Sequence, residues 1–149
     1  MKILKIKENK KEFLDLLLIA DEEEDMIDKY LEKGELFALY DDDLKSVCVI
    51  TSSKDSYELK NIATYPRYQK QGYGQKIMEF VIDYCKNKNK FTKIYVGTGE
   101  CEKIINFYEK FGFEESHKIR NFFVDNYNEP MFEDGKQLID MIYLKRDLL

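Results

Sequence analysis

The chain has 149 residues, 44% of them hydrophobic, and a net charge of −5; this is the length of one ordinary domain, with enough apolar residues for a real core. Its acidity, with a pI near 5.1, disfavours nucleic acid as the main partner, because phosphate binding needs clustered Lys and Arg. No apolar run approaches the ~20 residues of a membrane span, and the N-terminus lacks the apolar core of a signal peptide, so a cytoplasmic protein is expected.

Met1–Lys7 alternates apolar and polar residues and is read as a first strand. Lys11–Ala20 places Phe13, Leu16, Leu17 and Ala20 at helix spacing, and Glu23–Lys33 continues as a second helix, with Met26, Ile27, Tyr30 and Leu31 on one side and Gly34 as its stop. Leu36–Tyr40 and Lys45–Ser52 read as strands joined by a turn at Asp41–Asp43, and Tyr57–Tyr65 is the next strand. Gly72–Asn87 is the clearest helix, with Ile77, Phe80, Val81, Tyr84 and Cys85 on one face. A short strand at Lys93–Gly97 and a helix at Glu102–Phe111, closed by Gly112, follow. Phe113–Phe123 and Leu138–Leu144 are the expected closing strands, joined by a polar loop with Pro130 and Gly135. The acidic runs Asp21–Asp25 and Asp41–Asp43 read as a solvated helix start and a hairpin turn, with attraction of a cationic substrate as the alternative.

The order β-α-α-β-β-β-α-β-α-β-β predicts one α/β (α+β) domain over residues 1–149, with a mixed, mostly antiparallel sheet. A doubly wound parallel sheet needs a regular β-α alternation that the first half lacks. Cys48, Cys85 and Cys101 have no metal-ligand spacing, and their odd number argues against a disulfide framework. The single histidine, His117, makes a zinc site improbable and reads as an ordinary strand or loop residue. No metal is expected.

The most informative segment runs from Glu58 to Gln75. An apolar strand ends at Pro66, a glycine-containing turn follows, and an amphipathic helix begins. Such a turn offers backbone N–H groups to a phosphate at the helix N-terminus, although Gly72 and Gly74 would equally serve a tight turn and a close helix–strand contact. Neither the ATP-binding P-loop nor a full Gly-x-Gly-x-x-Gly is present.

What is present, Gln69-x-x-Gly72-x-Gly74, resembles the acyl-CoA pyrophosphate loop of the GNAT N-acetyltransferases, written Arg/Gln-x-x-Gly-x-Gly/Ala. Asn106-Phe-Tyr-Glu-Lys-Phe-Gly-Phe113 is similar to a second family segment, in the expected order. The element order is also that of the GNAT fold, a six- to seven-stranded sheet flanked by about four helices, so the resemblance covers nearly the whole chain. The tail resembles a bacterial subgroup with an extended loop between the last strands. The resemblance implies acetyl-CoA as cosubstrate and a small-molecule or peptide amine as acceptor, with no nucleic acid or membrane partner. It leaves a homodimer open.

Carried over by position, the resemblance assigns roles. The backbone of Lys70, Gln71, Gly72, Tyr73, Gly74 and Gln75, together with Gln69, would hold the CoA pyrophosphate. The backbone of Ile62 and Thr64 would pair with the pantetheine arm, and the Ile62 N–H would face the acetyl oxygen. Glu58 lies eleven residues before Gln69, the separation at which the family's founding histone acetyltransferases place a general-base glutamate. Strand alternation puts it on one face with Lys60, Ile62 and Thr64. It would take the amine proton directly or through water, or else be a polar strand-end residue paired with Lys60.

Tyr108 occupies the family's usual acid position. A phenol stays protonated at neutral pH and can donate to a leaving thiolate, while helix spacing with Ile104, Phe107 and Phe111 also fits a core aromatic. Where many relatives carry Asn seven residues earlier, this chain has Cys101, and Asn106 or the Gly97-Thr98-Gly99 backbone is the expected replacement. In the loop after Phe123, Glu129 and Glu133, with Asp125, Asp134 and Asp140 nearby, are expected either to attract a cationic amine, with Tyr127 and Phe132 covering its apolar part, or to form a solvated loop on an acidic protein. Two rival readings stand beside the N-acetyltransferase: a CoA-binding regulatory module without catalysis, and a dinucleotide-binding oxidoreductase. Against the latter, the third glycine is missing and Glu58 precedes the turn.

Overall fold

Near-continuous apolar runs at Leu36–Tyr40 and Val47–Ile50, buried on both faces, and an alternating run at Tyr57–Thr64 generate three consecutive strands. The computed structural model describes residues 1–149, which divide into two compact units, Met1–Phe91 and Thr92–Leu149. In the first unit β1 (Lys2–Ile6), β2 (Glu35–Asp41), β3 (Asp43–Ser52) and β4 (Tyr57–Thr64) pair in sequence order, each antiparallel to the last. The turn between β2 and β3 tightens onto Asp42 alone, at φ 69°.

One face of this sheet packs on α1 (Leu14–Ala20), α2 (Glu24–Asp28) and the turns beside them. Phe13, Leu16, Leu17, Ile27, Tyr30 and Leu31 meet Leu36, Ala38, Val47, Val49 and Ala63 there. The other face packs on α3 (Tyr73–Lys88), where the Phe37 ring meets Phe80 and Tyr84 edge-on at 5.6 and 4.8 Å.

The second expected helix, Glu23–Lys33, is corrected: α2 stops at Asp28 and turns carry the chain to Gly34. From Asp28 the bonds mix i−3 and i−4 partners, with the N–H of Lys29 on Met26, of Tyr30 and Leu31 on Ile27 and of Gly34 on Tyr30. The segment ends on Lys10, 7% exposed, in a 3-10 turn (Lys10–Phe13) that replaces the start of the first expected helix. Its ammonium donates to the carbonyls of Leu31 at 3.2 Å, Glu32 at 3.0 Å and Gly34 at 2.6 Å. These are carbonyls that even a helix running to Lys33 would leave without intrahelical partners, and one buried cation satisfies them.

The second unit holds β5 (Lys93–Thr98), α4 (Glu102–Glu109), β6 (Glu114–Ile119), α5 (Phe122–Asn126), a short hairpin of β7 (Phe132–Glu133) and β8 (Lys136–Gln137), and β9 (Met141–Asp147). Its long strands lie in the order β5-β9-β6, all antiparallel. The closing strands differ from expectation. The first ends at Ile119, and Phe122 and Phe123 are helical; the second starts at Met141 rather than Leu138. Asn121 turns at φ 55° with its N–H donating to Asp140 Oδ1 at 2.9 Å, and the Phe123 N–H donates to the Ile139 carbonyl at 3.0 Å. Leu138 packs on the bare backbone of Gly99, where a Cβ would meet it at 2.5 Å. With seven long strands and five α-helices, the fold is the expected mixed, mostly antiparallel α/β class.

Lys10→Met keeps the apolar stem but removes the donor from three buried carbonyls. It should cost roughly 2–4 kcal/mol, a fall in Tm of about 5–15 °C for a chain this long. A thermal melt within 2 °C of wild type would remove Lys10 from this role.

Candidate active site

The Gln69–Gln75 turn is shaped by its own side chains. Pro66 opens a 3-10 turn, with Tyr68 N–H to Tyr65 O at 2.8 Å and Gln69 N–H to Pro66 O at 3.3 Å. The Gln69 amide then donates back to the Thr64 carbonyl at 3.1 Å, and the Gln71 amide to the Arg67 carbonyl at 3.3 Å. Lys70 and Gly72 adopt left-handed backbone, at φ 62° and 89°. The first intrahelical bond of α3 is Lys76 N–H to Gly72 O at 3.0 Å, and no side chain caps the helix. The N–H groups of Tyr73, Gly74 and Gln75 precede that bond, so they lack intrahelical partners. No atom lies within 4 Å of a Cβ built at Gly72. A concave, uncapped helix start of this kind fits an anionic phosphate.

Three side chains fix this turn to the β2–β3 hairpin. The Tyr73 hydroxyl donates to Asp41 at 2.7 Å, which raises its pKa, and the Tyr68 hydroxyl donates to Asp43 at 2.9 Å. The Lys45 ammonium lies 3.5 Å from the Tyr68 ring centre. Its hydrogen bond, with that of Tyr68, holds Asp43 below the usual carboxylate range. The acidic hairpin therefore anchors the turn.

The strand leading into the turn carries an irregularity that the sequence does not announce. Val49 pairs with Asn61 but Ile50 pairs with Leu59, so Lys60 is one extra residue on β4. A bulge of this kind reverses the alternation. After it, Ile62 and Thr64 pair with Cys48 and Ser46 on the α3 face, and the Ser46 and Thr64 hydroxyls are 2.6 Å apart. Before it, Glu58 pairs with Thr51, which shares the helical-layer face of β3 with Val47 and Val49. The expected common face for Glu58, Ile62 and Thr64 is thus corrected: Glu58 lies on the α1–α2 side. Lys60 lies there too, 2.9 Å from Glu58 and 6.0 Å from the Tyr30 ring centre.

The backbone edges of β4 also divide. The Tyr65 N–H donates to the Lys45 carbonyl of β3 at 3.2 Å, so by alternation the N–H and C=O of Ile62 and Thr64 point away from β3. The Thr64 carbonyl is the one that accepts the Gln69 amide.

In the second unit Tyr108 is 6% exposed in α4, between the rings of Phe107 at 5.5 Å and Phe113 at 5.7 Å. Asn106 is exposed two residues earlier, and Cys101 is buried as the residue before α4. Glu129 is exposed, and Glu133 is exposed in β7, paired in register with Lys136. Asp140 is taken up by the Asn121 N–H, so it serves the loop's own geometry. Tyr127 stacks on Phe123 at 5.6 Å while Phe132 is 55% exposed. His117 stacks on Tyr143 at 4.9 Å and 8°. Two polar residues in the core were passed over in the sequence, Lys10 and Asn61; the signal for Asn61 was an amide among the apolar positions of a strand.

An α/β fold whose glycine turn leaves a helix N-terminus uncapped suits proteins that hold phosphate-bearing ligands. The comparisons say which. The model of the acetyltransferase (GNAT) family matches residues 6–113. An uncharacterized N-acetyltransferase of Bacillus subtilis (strain 168), YvbK, is 35% identical over 144 residues, 95% of this chain and 92% of that protein. A GNAT family acetyltransferase from Elizabethkingia anophelis, solved with acetyl-CoA bound, superposes with a TM-score of 0.91 at 35% identity, over 98% of this chain and 97% of the other. A Bacillus subtilis acetyltransferase in complex with CoA gives 0.90 at 34% identity, over 99% of each. The chain belongs to the GNAT acetyltransferase family.

Gly74 is the second residue of α3 and its φ is not positive, so a side chain there does not strain the backbone. Gly74→Glu puts a carboxylate where the helix dipole welcomes one, worth about 0.3–1 kcal/mol, and where it opposes a bound phosphate. Tm of the free protein should hold or rise, and the Tm increase with acetyl-CoA should disappear. Undiminished acetyl-CoA stabilisation in that variant would remove the turn from cofactor binding.

Proposed function

We propose that residues 1–149 act as a single cytoplasmic N-acetyltransferase domain that moves an acetyl group from acetyl-CoA to a primary amine by direct attack in a ternary complex. The observation that carries this reading is the uncapped α3 N-terminus at Gly72–Gln75 next to the β4 edge on which the Ile62 and Thr64 backbone points away from β3. The family and the CoA complexes of its relatives support the same cosubstrate. Bound there, acetyl-CoA supplies the thioester carbonyl and a thiolate leaving group. The N–H groups of residues 70–75 hold the pyrophosphate, and the Ile62 N–H stabilises the carbonyl oxygen as it gains charge. Glu58 accepts the amine proton from the α1–α2 side, the face opposite α3. Tyr108 donates its proton to the thiolate. Asn106 contacts the cofactor in place of the usual Asn.

The acid assignment separates cleanly from packing. Tyr108→Phe keeps both edge-on ring contacts and removes one hydroxyl. Turnover should fall by roughly 10²–10⁴, with Tm and acetyl-CoA binding little changed. Wild-type turnover would return Tyr108 to the role of a core aromatic.

The acceptor should be a small cationic amine, drawn by Glu129 and Glu133. In a panel of cationic, neutral and acidic amines, thiol release should be fastest with acceptors carrying more than one amine, and their KM should rise with salt. Glu129→Gln and Glu133→Gln should each raise that KM and leave acetyl-CoA binding alone. Indifference to salt and to both substitutions would discard the acidic loop as the acceptor site. CoA binding with no thiol release from any amine would favour the regulatory-module reading.

A further inference from the structure

Asn61 is 3% exposed, and its Oδ1 is buried with no partner among the protein's own groups. The amide cannot be turned over to cure this. Nδ2 donates to the Leu17 carbonyl at 3.0 Å, and a carbonyl only accepts. The second Nδ2 proton goes to the Tyr30 hydroxyl at 3.1 Å, which donates on to Asp21 at 3.2 Å. Burial keeps that phenol protonated by pushing its pKa up. Leaving an acceptor unpaired inside a core costs about 1–3 kcal/mol, and such an atom calls for an explanation.

Its surroundings supply one. Asn61 pairs with Val49 and so faces the helical layer, on the same side of β4 as Glu58. Contacts run continuously between them: Glu58 to the Lys60 ammonium at 2.9 Å, Lys60 to the Tyr30 ring at 6.0 Å, Tyr30 to Asn61 at 3.1 Å. The titratable groups on this face are Lys60 on the strand and Tyr30 and Asp21 on the layer packed against it.

We propose that Asn61 is a positioning residue for deprotonation of the acceptor, its Oδ1 holding a water between the incoming amine and Glu58. This rests on the N-acetyltransferase reading above. An amide oxygen only accepts, so the water must turn one O–H toward Asn61. The other O–H points to Glu58, and the lone pairs are left for an N–H of the ammonium. A proton passes from nitrogen to the water oxygen as one passes from the water to the Glu58 carboxylate. The amine gains its free lone pair, Glu58 becomes neutral and the water is restored.

Asn61→Leu removes the acceptor at nearly constant shape. With an amine of pKa about 10, kcat/KM at pH 7 should fall about tenfold or more. Its pH profile should climb toward the amine's own pKa instead of levelling, while stabilisation by acetyl-CoA persists. Tyr30→Phe cuts the same network on the Nδ2 side; it should lower Tm and leave the shape of the profile in place. A crystal structure of the wild type with CoA and an amine acceptor needs no variant: a water should lie within hydrogen-bond reach of both Asn61 Oδ1 and the acceptor nitrogen. A profile for Asn61→Leu that coincides with wild type, or an Oδ1 water out of reach of that nitrogen, overturns the proposal. A wild type that acetylates no amine overturns the acetyltransferase reading and this inference with it.

Discussion

One extra residue, Lys60, decides what each side of β4 presents. Without the bulge, Glu58 would continue the alternation of Ile62 and Thr64 and enter the layer beneath α3, among Cys48 and Ile50. Lys60 would enter the same layer, and both charges would lose their hydration there, a cost of several kcal/mol. With the bulge, Glu58 emerges beside the Lys60 ammonium on the α1–α2 side, half-buried and paired. The Ile62 and Thr64 backbone is directed away from β3 by the bond from Tyr65 to Lys45, independently of the bulge. The strand therefore offers a carboxylate from the α1–α2 face and main-chain groups along its edge.

The turn after β4 follows a second economy of hydrogen bonds. Gln69 and Gln71 spend their amides on nearby carbonyls, and Tyr68 and Tyr73 spend their hydroxyls on Asp43 and Asp41. No side chain offers an acceptor to the start of α3, and the helix begins with the N–H groups of its first turn unspent. This gives a locally positive helix end in an acidic chain. It also ties that helix start to the β2–β3 hairpin, so the acidic residues Asp41 and Asp43 act as structural ligands for tyrosines.

The helical layer is held by buried polar groups as much as by its apolar stripe. Lys10 gathers three carbonyls after α2, and Asn61 gathers a carbonyl from α1 and the Tyr30 hydroxyl. Both residues sit in positions where an apolar side chain would have filled the space. Their hydrogen bonds hold the last turn of α1 and the turns after α2 with a directionality that packing of Leu and Ile does not have.

Element order, strand type, the amphipathic α3 and the glycine turn were legible in the sequence because each rests on local chemistry: period-two or period-3.6 burial, and backbone conformations that glycine favours. The pairing of Glu58 with Lys60 was legible for the same reason, two residues apart on one strand. Helix length in residues 23–33 was not, because the group that holds the carbonyls at the end of that segment, Lys10, is more than twenty residues away. The start of the last strand was not, because Asp140 and Leu138 are held by Asn121 and Gly99. Nor was the face of Glu58, since a bulge is a property of two paired strands and appears in neither strand's own alternation. The orphaned Asn61 oxygen belongs to the same class: only the packed helical layer could fix one end of that amide and leave the other without a partner.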